Sequence, residues 1–205
     1  LAGWQKQSPM TLLVDNAYRD LRYEGSDIPS FTDLGADPGL TVETGTFSKN
    51  LSPGLRIGWG TPPEPLKTAI ERRKSLIDFG SPHFNQMLVA QILASGSFDQ
   101  HLEKLRAAYR IKRDATIAAC QRHFGDIEGA SFQTPSGGLY VWLHLPNEYD
   151  LGPEGPIWNR AMENGVLYVP GEFFYPSEGH EVVKHTARLS FGVLDPERIE
   201  EGVRL

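Results

Sequence analysis

Gly45-Thr46-Phe47-Ser48-Lys49-Asn50-Leu51-Ser52-Pro53-Gly54-Leu55-Arg56-Ile57-Gly58-Trp59 decides how this chain is read. Two extended runs, 40–47 and 55–60, flank a turn that carries a lysine between small and hydroxyl residues, with an arginine seven positions later. Pro53-Gly54 between them marks a tight loop, because proline presets φ and glycine accepts conformations other residues avoid. Working outward, Thr11-Leu12-Leu13-Val14 is a short continuous apolar run closed by Asp15-Asn16-Ala17-Tyr18. A run of that length and composition predicts a strand buried on both faces, as in a parallel sheet.

A Ser-Lys pair alone says nothing, since surface lysines commonly follow serines. The Lys-x6-Arg spacing with Pro-Gly inside it says more, and the acid and phenol at a preceding strand end narrow the chemistry further. An amine forms a reversible carbon–nitrogen double bond with an aldehyde. A guanidinium with the hydroxyls of Thr46 and Ser48 neutralises a phosphate dianion, and a carboxylate keeps a pyridine nitrogen protonated so that the ring draws electrons. Together they fit pyridoxal 5'-phosphate, with Lys49 as the amine, Arg56 at the phosphate and Asp15 at the ring nitrogen. The plain alternative for Lys49 is a solvated surface lysine.

Breakers and periodicity give the rest of the organisation. Thr61-x-x-Glu64 with Pro65 predicts a capping box opening a helix over 66–77. Phe79-Gly80-Ser81-Pro82 ends it, and 85–94 reads as another helix. A long helix follows over 98–124, its buried face marked by Phe98, Leu102, Leu105 and Tyr109. Arg106, Arg110 and Arg113 on that helix read as a solvated face paired with Glu103 and Asp114, in preference to a phosphate patch. Beyond Gly125, 139–145 is a strand closed by Pro146, 157–164 a helix, 166–171 an extended run and 187–192 the last strand. Asp195-Pro196 opens a final helix, an N-cap followed by proline in the first turn.

The 205 residues are 40% hydrophobic and 22% charged, the balance of a globular chain able to bury a core. Net charge of -6 and a pI near 5.5 argue against broad contact with nucleic acid or anionic membranes. No run of eighteen apolar residues occurs. The single cysteine, Cys120, excludes an internal disulfide and fits a reducing, cytoplasmic setting. Its helical surroundings make it a small core residue rather than a nucleophile. No metal is expected: His180 and His185 share a polar stretch with Glu178 and Glu181, but without ligand spacing. The chain starts at Leu1 and stops at Leu205 inside helical patterns, so it reads as an excised piece of something longer.

In order along the chain, Asp15-x-x-Tyr18, Ser48-Lys49 with Arg56, Pro135-x-Gly137-Gly138, Val169-Pro170-Gly171 with Phe173-Phe174, and Arg188 resemble the fold-type I pyridoxal phosphate aminotransferases of class I/II. That resemblance implies an α/β fold: part of a large, mostly parallel sheet domain over 1–97, and a C-terminal α+β small domain with its linking helix over 98–205. It also implies that Tyr18 donates to the cofactor's 3'-oxygen and that Lys49 moves the proton between the substrate Cα and the cofactor. Arg188 would clamp the substrate α-carboxylate, while Tyr140, Val169 and Phe173 shape the side-chain pocket. Residues 81–85 would reach a neighbouring subunit's site in a homodimer. Val14-Asp15-Asn16-Ala17-Tyr18, Pro53-Gly54-Leu55-Arg56-x-Gly58, Gly165-Val166-Leu167-x-Val169-Pro170-Gly171 and Pro196-Glu197-Arg198-Ile199-Glu200-x-Gly202-Val203 make the valine–pyruvate aminotransferase group the nearest resemblance. Phe84-Asn85-Gln86 and Leu55-Arg56-Ile57-Gly58 are similar to the 2-aminoadipate and kynurenine groups.

Three activities remain open on these residues. The first is amino transfer between a small aliphatic amino acid (valine, alanine) and a 2-oxo acid. The second is a sensor domain in a transcription regulator, and the third a lyase using the same lysine for β-elimination or decarboxylation.

Overall fold

The computed structural model describes residues 2–176, 178–179 and 181–205. They divide into two units, Leu1–Arg106 and Ala107–Leu205.

The first unit opens with α1 (Ala2–Gln7) and a three-stranded sheet in the order β1 (Leu12–Asp15), β2 (Thr41–Thr46), β3 (Gly58–Thr61). β1 and β2 run parallel, with Leu12 opposite Thr41 and Asp15 opposite Thr44; β3 is antiparallel to β2. The buried Gln5 amide anchors α1, donating to the carbonyls of Met10 and Leu40 and accepting from the Asp37 N–H at 2.8 Å. Of the apolar run in β1, Val14 is buried but Leu13 is 68% exposed. The expected burial on both faces therefore holds for one face only, because nothing among the described residues packs on the other.

The third strand starts at Gly58, not at Leu55. Pro53–Leu55 forms a 3-10 turn and Arg56 takes φ 53, which interrupts the extended run. Trp59 pairs with Gly45 across β2 and β3, and a Cβ on Gly45 would lie 2.5 Å from its indole, so the position demands glycine. α2 (Leu66–Asp78) forms without the expected capping box. Thr61 stays in β3, and Glu64 accepts from the Thr68 hydroxyl instead. Phe79, with φ 54, and Gly80 stop that helix. α3 (His83–Ala94) and α4 (Ser97–Phe124) follow, and Phe98 on α4 meets Phe47 edge-on at 6.0 Å.

The second unit takes the rest of α4, then a four-stranded antiparallel sheet in the order β4 (Ser131–Phe132), β5 (Tyr140–His144), β7 (Thr186–Ser190), β6 (Val169–Pro170). α5 (Pro156–Glu163) lies between β5 and β6 in sequence, and α6 (Pro196–Arg204) ends the chain. The period of two in β5 sets its faces: Val141 and Leu143 are buried, whereas Tyr140, Trp142 and His144 point to the other side. Leu143, Leu145, Leu151, Tyr168 and Ala187 form the core, with Phe124, Ile157 and Trp158 packed on it. Cys120 is fully buried as expected, and burial pushes its thiol up to about 12. The Asp195 carboxylate accepts from the Arg198 N–H at 2.9 Å, the N-cap read from the sequence.

One reading of α4 holds only in part: Arg110 is exposed and Arg113 pairs with Asp114, but Arg113 does not face solvent. Arg113 is only 3% exposed; its guanidinium donates to Asp114 at 2.7 Å and to the Pro135 carbonyl at 2.8 Å. It ties α4 to the segment at Pro135 instead of facing solvent. Arg106 likewise donates to the Asp20 carbonyl at 2.7 Å in the first unit. Among the described residues no cluster of three metal-ligating side chains occurs, and His180 lies outside them. No helix among them is long and apolar enough to cross a membrane.

Candidate active site

Parallel pairing of β1 and β2 sends the segments that follow both strands off the same edge of the sheet. Asp15 ends β1 and Tyr18 follows it; Thr46 ends β2 and Ser48-Lys49 follow it. Ligands of open α/β sheets gather at such carboxyl ends. Asp15 is exposed, with Oδ1 accepting from the Ala17 N–H at 3.0 Å; this turn holds the carboxylate at the strand end. The Lys49 ammonium lies 5.9 Å from the centre of the Tyr18 ring.

The turn around Lys49 is fixed by its own backbone. The Phe47 carbonyl accepts from the N–H groups of both Leu51 and Ser52, and the Phe47 N–H donates to the Ile57 carbonyl. The Thr46 hydroxyl donates weakly to the same carbonyl at 3.4 Å and accepts from the Ser48 N–H at 3.1 Å, so it shapes the turn. The Arg56 guanidinium donates to the Ser48 hydroxyl at 3.0 Å. A cation and a hydroxyl thus meet eight residues apart in sequence, as an oxyanion cup requires. The buried Asn50, next to Lys49, donates to the Asp20 carboxylate at 2.6 Å, joining the lysine turn to the 3-10 turn after Tyr18.

The second unit presents a different cluster. Trp142 lies opposite Arg188 in the β5–β7 register, and Val169 flanks Arg188 on the other side. The guanidinium carbon sits 4.1 Å from the centre of the Tyr140 ring and 4.7 Å from that of Phe174. Trp142 meets Phe174 edge-on at 5.3 Å. Nε of Arg188 is buried and makes no hydrogen bond. A guanidinium held by aromatic faces, with a donor unspent, is suited to a planar anion such as a carboxylate. Phe173, expected near the substrate, is 63% exposed, whereas its neighbour Phe174 makes the contact.

Sequence reasoning missed Asn50 and Asp20, and although it quoted Phe174 and Asn85 within motifs it did not foresee the contacts they make. Adjacent phenylalanines in a 3-10 turn carry no period that tells which one faces inward. The hydrogen bonds of Asn50 and Asn85 span thirty residues each, with no local signal. A cavity of about 780 Å³ in the second unit is lined by core residues such as Leu143, Tyr168 and Ile199 and by none of the predicted site residues.

A pyridine aldehyde bearing a phosphate needs an amine, a carboxylate, a phenol and a cationic cup, and the first unit carries each of these at one sheet edge. The family model described as aminotransferase class I and II matches residues 1–204. A 2-aminoadipate transaminase of Thermus thermophilus is 37% identical over 198 residues, covering 95% of this chain and 47% of the relative. An aromatic-amino-acid aminotransferase of Thermococcus litoralis is 33% identical, covering 97% and 45%. An HTH-type transcriptional regulator of Bacillus subtilis is 30% identical, covering 97% and 39%. The crystal structure of an alpha-aminoadipate aminotransferase from Thermus thermophilus, complexed with N-(5'-phosphopyridoxyl)-L-leucine, superposes with a TM-score of 0.85. The identity is 35%, over 99% of this chain and 50% of that one. The chain thus spans about half the length of the relatives it matches.

Proposed function

The chain belongs to the aminotransferase class I and II family, whose cofactor is pyridoxal 5'-phosphate, and on that premise we propose that the protein carries an amino group between an amino acid and a 2-oxo acid in two half-reactions. The observation that carries this reading is the cup at one sheet edge, in which Arg56 meets the Ser48 hydroxyl at 3.0 Å beside Lys49. When bound, the cofactor supplies an electron-withdrawing ring that stabilises negative charge on the substrate Cα.

Each side chain then has a stated task. Lys49 would hold the aldehyde through its amine, and the same amine would take and return the proton at the substrate Cα. Asp15 would pair with the ring nitrogen and Tyr18 would donate to the 3'-oxygen. Arg56 and Ser48 would take the phosphate, with Thr46 shaping the turn that presents them. Arg188 binds the substrate α-carboxylate through parallel N–H donors, which orients the Cα–H bond, and Tyr140 borders the side-chain pocket. We assign residues 1–97 to the cofactor-binding domain and 98–205 to the small domain, and the working form to a cytoplasmic homodimer.

The proposed donors are small aliphatic amino acids, valine and alanine, with pyruvate and 2-oxoisovalerate as acceptors. The stretches shared with the valine–pyruvate group support this, as does the leucine adduct held by the Thermus relative. The names of the relatives make 2-aminoadipate and aromatic amino acids the competitors. A half-reaction screen on the full-length protein, following the cofactor's absorbance change from aldehyde to amine form, decides between them. Alanine and valine are expected to convert it and aspartate only weakly. Faster conversion by 2-aminoadipate, tyrosine or aspartate would overturn the aliphatic assignment.

The similarity to HTH-type regulators sustains a second reading, an aminotransferase-like sensor attached to a DNA-binding module. The coding sequence upstream of Leu1 separates the two: a helix-turn-helix there favours the sensor.

A further inference from the structure

Asn85 belongs to the Phe84-Asn85-Gln86 motif in the first turn of α3, and the reading above gives it no part within its own subunit. Its side-chain Nδ2 donates to the Leu55 carbonyl at 2.9 Å, across thirty residues. Leu55 ends the Pro53–Leu55 3-10 turn, and the next residue, Arg56, has φ 53 and ψ 37, a left-handed conformation. For a residue with a long side chain that conformation costs about 1 kcal/mol or more, and it persists only where the surroundings over-determine it. What that strain achieves is visible in the side chain, since the same Arg56 reaches the Ser48 hydroxyl at 3.0 Å and the Pro53 carbonyl at 3.4 Å. Asn85 itself is held by its place in the helix, and Gln86 beside it ties the helix start down by donating to the Ser81 carbonyl at 2.9 Å.

We propose that Asn85 is a positioning residue for phosphate binding: by gripping the Leu55 carbonyl it holds the peptide before Arg56 in the orientation that sends the guanidinium to Ser48. The inference rests on the assignment of Arg56 and Ser48 to the cofactor phosphate. Asn85 touches no part of the cofactor; it acts through one backbone carbonyl. Removing its amide frees the Leu55–Arg56 peptide to rotate toward ordinary φ values, and the guanidinium leaves the hydroxyl.

The test uses full-length protein and two ligands that differ only in the phosphate, pyridoxal 5'-phosphate and pyridoxal, each titrated by absorbance and by protection against thermal unfolding. Asn85→Ala and the near-isosteric Asn85→Leu are compared with wild type and with Arg56→Ala. Losing one hydrogen bond upstream of a charged contact is expected to weaken the phosphorylated ligand by roughly three- to tenfold, leaving pyridoxal unchanged. Arg56→Ala is expected to lose at least about tenfold, again for the phosphorylated ligand alone. Unchanged phosphate discrimination in both Asn85 variants overturns the inference while leaving the Arg56 assignment standing. Equal weakening of both ligands also overturns it, since that marks a merely structural residue. An Arg56→Ala protein with full discrimination removes the phosphate assignment itself, and the role of Asn85 with it.

Discussion

At the scale of single residues, the proposed chemistry rests on a few side chains whose surroundings differ sharply. Arg188 is held between Tyr140 and Phe174, with Nε unspent. Replacing it by lysine keeps the charge but loses the planar fork that matches a carboxylate. Arg188→Lys is therefore expected to lower kcat/KM for amino acids by roughly 10- to 100-fold, on the strength of a charge-assisted pair, with affinity for pyridoxal phosphate unchanged. Steady-state kinetics beside a cofactor titration checks this, and an unaltered kcat/KM would remove Arg188 from the substrate site. Cys120 behaves oppositely, since burial raises its thiol from 9.0 to about 12. A group raised in the folded state stabilises fully below its unfolded value and loses that contribution as pH climbs through the folded one. Wild type should thus lose stability relative to Cys120→Ala between pH 9 and about 12. Parallel stability curves for the two proteins would contradict the burial argument.

At the scale of elements, the pairing of β2 with β3 decides whether the cup can form. Trp59 lies across Gly45, one residue before Thr46, and leaves no room for a methyl group. Gly45→Ala is expected to cost about 1–3 kcal/mol in chemical denaturation, as overpacking does. Adding Trp59→Ala should recover part of that loss, because the two changes share one contact. Additive losses in the double variant would show that the clash is not the cause. Most elements here were legible from breakers and periods: 85–94 and 98–124 correspond to α3 and α4, and Asp195-Pro196 to the start of α6. The capping box at Thr61 was not, because strand pairing to Glu43 retained the residue that local propensity assigned to a helix cap. Nor was the arginine stripe, whose member Arg113 found a carbonyl twenty-two residues away.

At the scale of the whole molecule, the first unit leaves much apolar surface open. Leu76 is 78%, Ile77 79% and Phe79 93% exposed. Large apolar side chains left this open near one helix end are expected to be covered in the full-length protein. In the full-length protein, Leu76→Ala with Ile77→Ala is therefore expected to cost about 2 kcal/mol or more of stability, well beyond the roughly 0.5 kcal/mol of an ordinary surface change. Thermal and denaturant unfolding measure it, and a surface-sized effect would mean that both side chains remain in water.

Sequence alone supplied the proposed chemical kit and its order, because an amine, an acid, a phenol and a guanidinium act through their own functional groups. Lys49, Asp15, Tyr18 and Arg56 were named from residue type and spacing, and Arg188 from the family resemblance. Only tertiary structure decided how the kit is aimed: that β1 and β2 run parallel, that Arg56 bends left-handed into Ser48, that Phe174 and not Phe173 meets Arg188, and that Asn85 grips a carbonyl thirty residues away. Those outcomes depend on hydrogen bonds and ring contacts between distant segments, which become definite only once the chain has closed the loops between them.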